Sequence, residues 1–368
     1  MEKGYKNIPI LLAVLSKDFK EVQQLISTDP TVVNAIHKKS GDSPLIVASR
    51  FKNLEIARLL LENGAHVQLK NLDGKRAIHE ASGVGSLNIL EELLRYGSDV
   101  DALKRADWTP LMFACANGHL DCATVLIKHG ASINRVNKDG WSAFHLACRE
   151  GHVNVLKYLL SVDFGTHLIC SKNSRTPLHT GCMHGQANVC KLLTNLKNVD
   201  LRAKDSCGST PALDSIRFNF IGIAAMLVAK SQDCLLDTDN LGKGAIHVAA
   251  QSGHCSALEY LVVECKHDID QQCGNSQMSP LHYAAKEGNI EALKYIISLV
   301  DSVDCCDKFG RTPLHLAVAS NKLDSVPLLI SARANLTLKD NHGKCPADYA
   351  FNSQMKDLLF SYSNTFNT

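Results

Sequence analysis

The sequence predicts an all-α solenoid of about eleven helix–turn–helix units, each carrying a hairpin finger. Three observations carry that prediction. A Thr-Pro-Leu-His tetrapeptide, or a close variant, recurs with its second position at Pro9, Pro44, Ala77, Pro110, Ala143, Pro177, Pro211, Ala245, Pro280, Pro313 and Pro346. The intervals between these positions are 33 to 35 residues. Eight of the ten prolines stand in this register, which a single globular core has no reason to impose.

Each part of the unit follows from local chemistry. In Asn137-Lys138-Asp139-Gly140-Trp141-Ser142-Ala143, the Asp-Gly pair turns the chain at a hairpin tip. The Ser or Thr caps the first helix, and Pro or Ala follows at its first position, where a missing N–H costs nothing. Small residues recur on the inner face of that helix, among them Ala114, Ala147, Gly181, Ala249, Ala284 and Ala317, so neighbouring units can approach closely. Gly118, Gly151, Gly185, Gly253 and Gly288 then break it. The second helix has apolar spacing of i, i+3, i+4, as in Val153, Leu156, Leu159 and Leu160. Gly64, Gly97 and Gly130 mark its end in early units. A 33-residue period bearing this motif resembles the ankyrin-repeat family over residues 5 to 362.

No single unit buries its apolar face alone, so stacking supplies the core and the ends need caps. Residues 1–37 lack a finger and read as an N-terminal capping repeat, residues 38–340 as repeats two to ten, and 341–362 as the C-terminal cap. Residues 363–368 are expected to be disordered. Residues 162–171 and 263–274 form longer, Gly-poor connections, and Pro327 falls inside a second helix that is expected to kink there.

Composition narrows the function. Thirty-nine basic residues against 37 acidic ones leave a net charge of +2, which removes the footprint of a general nucleic-acid or anionic-membrane binder. The N-terminal apolar run at residues 8–15 carries Pro9 and is short for a signal peptide. The expectation is a soluble intracellular monomer, cytoplasmic and also nuclear. The 14 cysteines fit a reducing compartment. Cys115, Cys148 and Cys182 share one helical register position, unlike a disulfide framework. No CxxC occurs, and Cys265, His267 and Cys273, the nearest approach to a metal cluster, read as loop residues.

Of the 16 histidines, His79, His145, His179, His247, His282 and His315 hold the fourth anchor position, and His119, His152 and His254 follow the inter-helix glycine. Their register assigns them to structure. No Ser-His-Asp set, His-Glu-x-x-His, P-loop or GxGxxG stands in credible context, so no enzyme, cofactor or metal is expected.

The candidate binding surface lies at the fingers. The only two tryptophans, Trp108 and Trp141, stand 33 residues apart at one register position just before the helix cap. Packing on the neighbouring hairpin is one reading of them; a binding hot spot is the other. Lys104, Arg105, Arg135, Lys138 and Arg149 surround the pair, opposed by Asp107, Asp139 and Glu150. That combination is expected to bind an acidic protein partner.

Within the family, residues 70–185 resemble the group of ankyrin proteins that co-regulate alanyl-tRNA synthetase. Ala106-Asp107-Trp108 and Lys138-Asp139-Gly140-Trp141 are the more specific matches, supported by Arg149-Glu150-Gly151 and Arg175-Thr176-Pro177-Leu178-His179-Thr180. The group tends to have serine where this chain has Cys148. The resemblance implies a non-enzymatic partner of the synthetase's catalytic domain, one that guards translational fidelity by accepting misactivated serine on lysine side chains. The group's three acceptor positions align with Arg105, Lys138 and Leu168, so one lysine is kept, and Lys104 and Lys172 lie nearby. The candidate acceptors are Lys138 and Lys104. The alternative is a general adaptor for another intracellular protein.

Overall fold

Every anchor tetrapeptide opens an inner helix. In the computed structural model, which describes residues 8–365, the first eleven-fold register position is the first helical residue in each repeat. The caps act as their chemistry requires. The hydroxyls of Ser43, Thr109, Ser142, Thr210 and Thr312 each accept the backbone N–H three residues on.

The chain divides into two compact units, Met1–Gly181 with Asn195–Val199, and Cys182–Thr194 with Asp200–Thr368. The first stacks the pairs Pro9–Ser16 with Phe19–Thr28, Pro44–Arg50 with Leu54–Glu62, Ala77–Val84 with Leu87–Arg95, Pro110–Ala116 with Leu120–Lys128, and Ala143–Glu150 with Val153–Val162. The sixth inner helix, Pro177–Met183, starts in this unit, and its partner Ala187–Leu193 belongs to the second. There follow Pro211–Arg217 with Ile221–Lys230, Ala245–Ser252 with Cys255–Glu259, Pro280–Glu287 with Ile290–Ile297, and Pro313–Ala319 with Ser325–Ser331. The last repeat replaces its inner α-helix by a 3-10 turn, Pro346–Tyr349, and ends with the helix Ser353–Thr365. Among the described residues the only β-structure is two isolated bridges, Val136 with Ser142 and Cys273 with Met278, both within fingers.

The core alternates small and branched layers. Ala81, Ala114 and Ala147 are fully buried between inner helices, and Val155, Leu156 and Leu159 line an outer helix. Each such leucine contributes roughly 1.5–3 kcal/mol by burial. The anchor histidines tie successive repeats. The rings of His79, His145, His282 and His315 accept at Nδ1 from their own helix cap and donate from Nε2 to a carbonyl in the next hairpin, as His79 does to Ala102 at 2.9 Å and His282 to Arg311 at 3.0 Å; His247 makes only the Nε2 bond, to Gln271. His119, His152 and His254 reach back instead, to the carbonyls of Gly83, Ala116 and Arg217. Gly118 is needed there: at φ +75° its absent Cβ would lie 2.6 Å from the His152 ring.

Several expectations need correction or refinement. The helix holding Pro327 is not kinked; it starts late, at Ser325, so the proline falls in the first turn, where no intrahelical N–H bond is lost. The long connection at 162–171 is partly helical, a 3-10 turn Phe164–Leu168 with Thr166 and His167 buried. The one at 263–274 begins inside a π-helical segment, Tyr260–Glu264. The final helix runs to Thr365, into the segment expected to be disordered; residues 366–368 and the N-terminal residues 1–7 lie outside the described residues. Among the described residues no helix is long and apolar enough to cross a membrane, and no group of three His, Cys, Asp or Glu gathers to hold a metal.

Candidate partner-binding cleft

The fingers are linked tip to tip through the main chain. Arg105 N–H donates to the Asp73 carbonyl at 3.0 Å, Lys138 N–H to Ala106 at 3.1 Å, and Lys172 N–H to Asp139 at 3.1 Å. This spacing sets fingers four, five and six side by side within the first unit. Their side chains enclose a cleft of about 370 Å³.

Trp108 and Trp141 both line it, together with Leu146, whose side chain is fully buried. Trp108 packs on Phe113 of its own repeat with ring centroids 5.2 Å apart, and Trp141 lies 6.2 Å from His145. Each indole thus lies against a ring of its own repeat, and both line the opening. Lys138 and Lys172 stand exposed on the rim, and neither side chain has an ion pair among the described residues. Arg149 stacks over Trp141 at 5.6 Å and donates to Glu150 at 2.6 Å. Asp139 is the one carboxylate in the lining.

Four other sequence candidates are directed elsewhere. Arg105 donates to the Leu72 carbonyl at 3.0 Å, and Arg135 approaches Asp101 at 4.0 Å. Leu168, half-exposed at the end of its 3-10 turn, takes no part in the cleft lining. Lys104 is outside the cleft lining, its Nζ 5.3 Å from the Trp108 ring and 5.4 Å from Phe113. Lys75 Nζ lies 5.2 Å from the same Phe113 ring. Burial, then the like charge of Lys75, pull the Lys104 amine below the usual lysine range.

Sequence reasoning missed Asn137 and Asn173 in the lining, and named Lys172 only as a lysine near the aligned acceptor positions. Finger six opens on Ser171 rather than an acid or amide, so its sequence did not mark it as part of the site. The one available signal was register: Lys172 sits 34 positions after Lys138.

A family model for ankyrin repeats in three copies matches residues 10–104, 78–167, 231–301, 246–340 and 281–360. The matches skip the stretch between 167 and 231, where the structure nonetheless has the pair Pro211–Arg217 and Ile221–Lys230. The B-cell lymphoma 3 protein homolog of Mus musculus is 33% identical over 112 residues, covering 30% of this chain and 25% of that protein. The probable 26S proteasome regulatory subunit p28 of Saccharomyces cerevisiae is 38% identical over 77 residues, 21% of this chain and 34% of that one. The human transient receptor potential cation channel subfamily A member 1 is 24% identical over 264 residues, 69% of this chain and 20% of the channel. The aligned stretches thus span a fifth to a third of these relatives. Family models over most of its length, with the helix pairs to match, make this chain a member of the ankyrin-repeat family, whose members are typically non-enzymatic adaptors for protein–protein interaction.

Proposed function

We propose that this chain binds the catalytic domain of alanyl-tRNA synthetase through fingers four to six and intercepts misactivated serine on a lysine side chain. The observation that carries the binding half is the cleft itself. Its tryptophan walls and the unpaired Lys138 and Lys172 stand in the segment where the resemblance to synthetase co-regulators is most specific. A half-buried aromatic pair ringed by cations is the composition of an interface hot spot for an acidic surface.

The capture half rests on amine chemistry. A neutral lysine Nζ attacks the acyl carbon of seryl adenylate, an amide forms, the acyl–phosphate bond breaks, AMP leaves, and the amine's proton passes to solvent. A lysine of ordinary pKa is neutral about one part in a thousand at physiological pH, so proximity or a lowered pKa is required. Lys138 is the one acceptor position of the group at which this chain keeps a lysine, and it borders the cleft, so it is the main acceptor. Lys104 supports it, with the less basic amine. Arg105 and Leu168 offer no nucleophile.

The test is incubation with the synthetase, ATP and serine, followed by mass mapping of lysine adducts. A serine adduct at Lys138 that vanishes in Lys138→Arg supports capture. Tight binding with no adduct on any lysine reduces the role to a binding regulator. The second reading is a general adaptor. It is favoured by relatives as different as a lymphoma protein and a proteasome subunit, which match the repeats at 33% and 38% identity. Capture from lysate with wild-type and Trp108→Ala/Trp141→Ala chains separates the two: absence of the synthetase among cleft-dependent partners leaves the adaptor.

A further inference from the structure

Where a finger opens on an asparagine or aspartate, that residue closes the finger on itself. Asn137 Oδ1 accepts the N–H groups of Asp139 and Trp141, both at 2.9 Å. Asp239, Asp307 and Asp340 make the same two bonds through Oδ1 in their own fingers. The second side-chain atom is then left over, and elsewhere the chain satisfies it. Asp307 Oδ2 receives the Arg311 guanidinium at 2.7 Å, Asp239 Oδ2 the Lys243 ammonium at 3.3 Å, and Asp340 Oδ2 the Tyr349 hydroxyl. Asn71 has a donor in that place, and it donates from Nδ2 to Asp42 Oδ1 of the preceding repeat at 3.0 Å. Asp42 in turn is held by both terminal nitrogens of Arg50.

Asn137 breaks this rule. The residue that stands to it as Asp42 stands to Asn71, 29 positions earlier, is Trp108. The indole removes the carboxylate that would accept the amide. Asn137 is 4% exposed, lines the cleft, and its Nδ2 has no hydrogen-bond partner among the described residues. Nδ2 is not one of the buried side-chain atoms left unsatisfied, so it opens to the cleft, where a guest acceptor takes the place of water.

We propose that the cleft is a receptor for an acidic side chain: an aspartate or glutamate on an extended segment of a partner protein enters between Trp108 and Trp141, accepts a hydrogen bond from Asn137 Nδ2 and takes its countercharge from Lys138 and Lys172. The proposal rests on the reading of this finger face as the partner surface, and it holds whichever protein supplies the carboxylate. The charge of the lining sets the charge of the guest. Arg149 is paired with Glu150, so the two rim lysines face one carboxylate, Asp139, and a single negative charge completes the balance. A dianionic phosphate overshoots it. Asn71 and Asp42 supply the internal template, an amide donor meeting a carboxylate beside a cation. The indole walls keep water from the bond and hold the guest's aliphatic stem.

Both tryptophans of the chain line this cleft, so fluorescence excited selectively at tryptophan, apart from the eight tyrosines, reports its occupancy. The full chain is titrated with three extended Gly/Ser-framed peptides that differ only in the central residue: aspartate, asparagine or phosphoserine. Saturable binding of the acidic peptide, at least tenfold weaker for the amide peptide, is expected. Asn137→Asp keeps the finger turn, as the aspartates of four other fingers do, but presents a carboxylate instead of a donor. It is expected to weaken acidic-peptide binding at least tenfold with an unchanged melting temperature; if it fails to fold, Lys172→Gln is expected to weaken binding severalfold. Equal binding of the amide peptide, unchanged affinity in a folded Asn137→Asp, or tighter binding of the phosphoserine peptide each overturns the proposal. Peptide binding without capture of the synthetase leaves this inference standing and removes the partner assigned above; synthetase capture that Asn137→Asp does not alter does the reverse.

Discussion

The Nε2 of His145 donates to the backbone carbonyl of Arg175 at 3.2 Å, and the Nδ1 of the same ring sits 3.0 Å from the Ser142 hydroxyl that caps its own helix. One imidazole thus joins a helix start to the following finger, across thirty residues of sequence. The bond to the cap needs an unprotonated Nδ1, so the ring serves only while neutral.

Burial holds His79, His145 and His247 down at about 4. Unfolding returns each to about 6.5, so between those values the unfolded chain binds more protons than the native one. Their contribution is complete above about pH 6.5 and is lost as pH falls toward 4. Near pH 5 unfolding is expected to take up about one proton for each of the three, weakening the fold by up to about 2 kcal/mol per ring relative to pH 7. Urea titrations at the two pH values check this. His145→Gln is expected to be less stable at pH 7 yet to lose roughly a third of that histidine-derived slope.

Gly140 and Gly64 have similar backbone angles, φ +79° and +83°, but different surroundings. A Cβ at Gly140 would lie 2.4 Å from the Lys172 nitrogen, whereas nothing stands within 4 Å of one at Gly64. Gly64→Ala is expected to cost about 1 kcal/mol, the strain of a left-handed alanine. Gly140→Ala must also part fingers five and six, and is expected to cost about twice as much and to weaken binding at the cleft. Thermal melts and the fluorescence titration report the two effects.

Trp108→Ala with Trp141→Ala is expected to weaken partner binding by about 2–4 kcal/mol for each hot-spot residue at most. The indoles are half-buried and peripheral to the helical layers, so the melting temperature is expected to fall modestly, through the loss of Trp108 packing on Phe113. Unchanged affinity with a large loss of stability would assign the pair to packing alone.

Removing repeats ten and eleven takes away Pro313–Ala319, which packs on Pro280–Glu287, and the Lys308 N–H bond to the Ser276 carbonyl. Hydrogen exchange is expected to show fraying of the last remaining repeat and lower solubility. Every residue of the cleft lies in the first unit, so peptide binding is expected to persist. A folded truncation without binding would move the site to the C-terminal end.

The helix starts were legible because each is fixed by a short contiguous signal: cap, proline or alanine, and anchor histidine. Pro327 shows the limit of that signal. The apolar spacing around it continues the outer-helix pattern, but the ring cannot accept an interior place, and the chain gives up two helical residues rather than bend. The tryptophan pair was legible from its 33-residue spacing, whereas side-chain direction at the tips was not. Finger four turns through Ala106 and Asp107 at φ +66° and +61° in place of a glycine, which carries Arg105 back toward Leu72 and away from Lys138. Asn137 was invisible for a different reason. Its sequence role, closing a finger, is shared with Asn71 and with four aspartates, and its spare donor stands out only against Trp108, which holds the register position that Asp42 holds beside Asn71.

The tip-to-tip bonds that join Asp73 to Arg105, Ala106 to Lys138 and Asp139 to Lys172 use main-chain atoms alone. Outside the glycine that closes a tip, a changed side chain removes neither donor nor acceptor, so the distance between neighbouring tips is inherited from the backbone while the chemistry displayed there is free to drift. The second and third positions of a finger accordingly tolerate Lys-Asp, Arg-Ala, Ser-Cys, Asn-Leu and Lys-Phe in this one chain. A new binding specificity then needs few steps, since two substitutions on adjacent tips meet at a preset separation without any adjustment of the core. The frame changes slowly and the display on it quickly, which lets repeats of one lineage come to serve unrelated partners while folding in the same way.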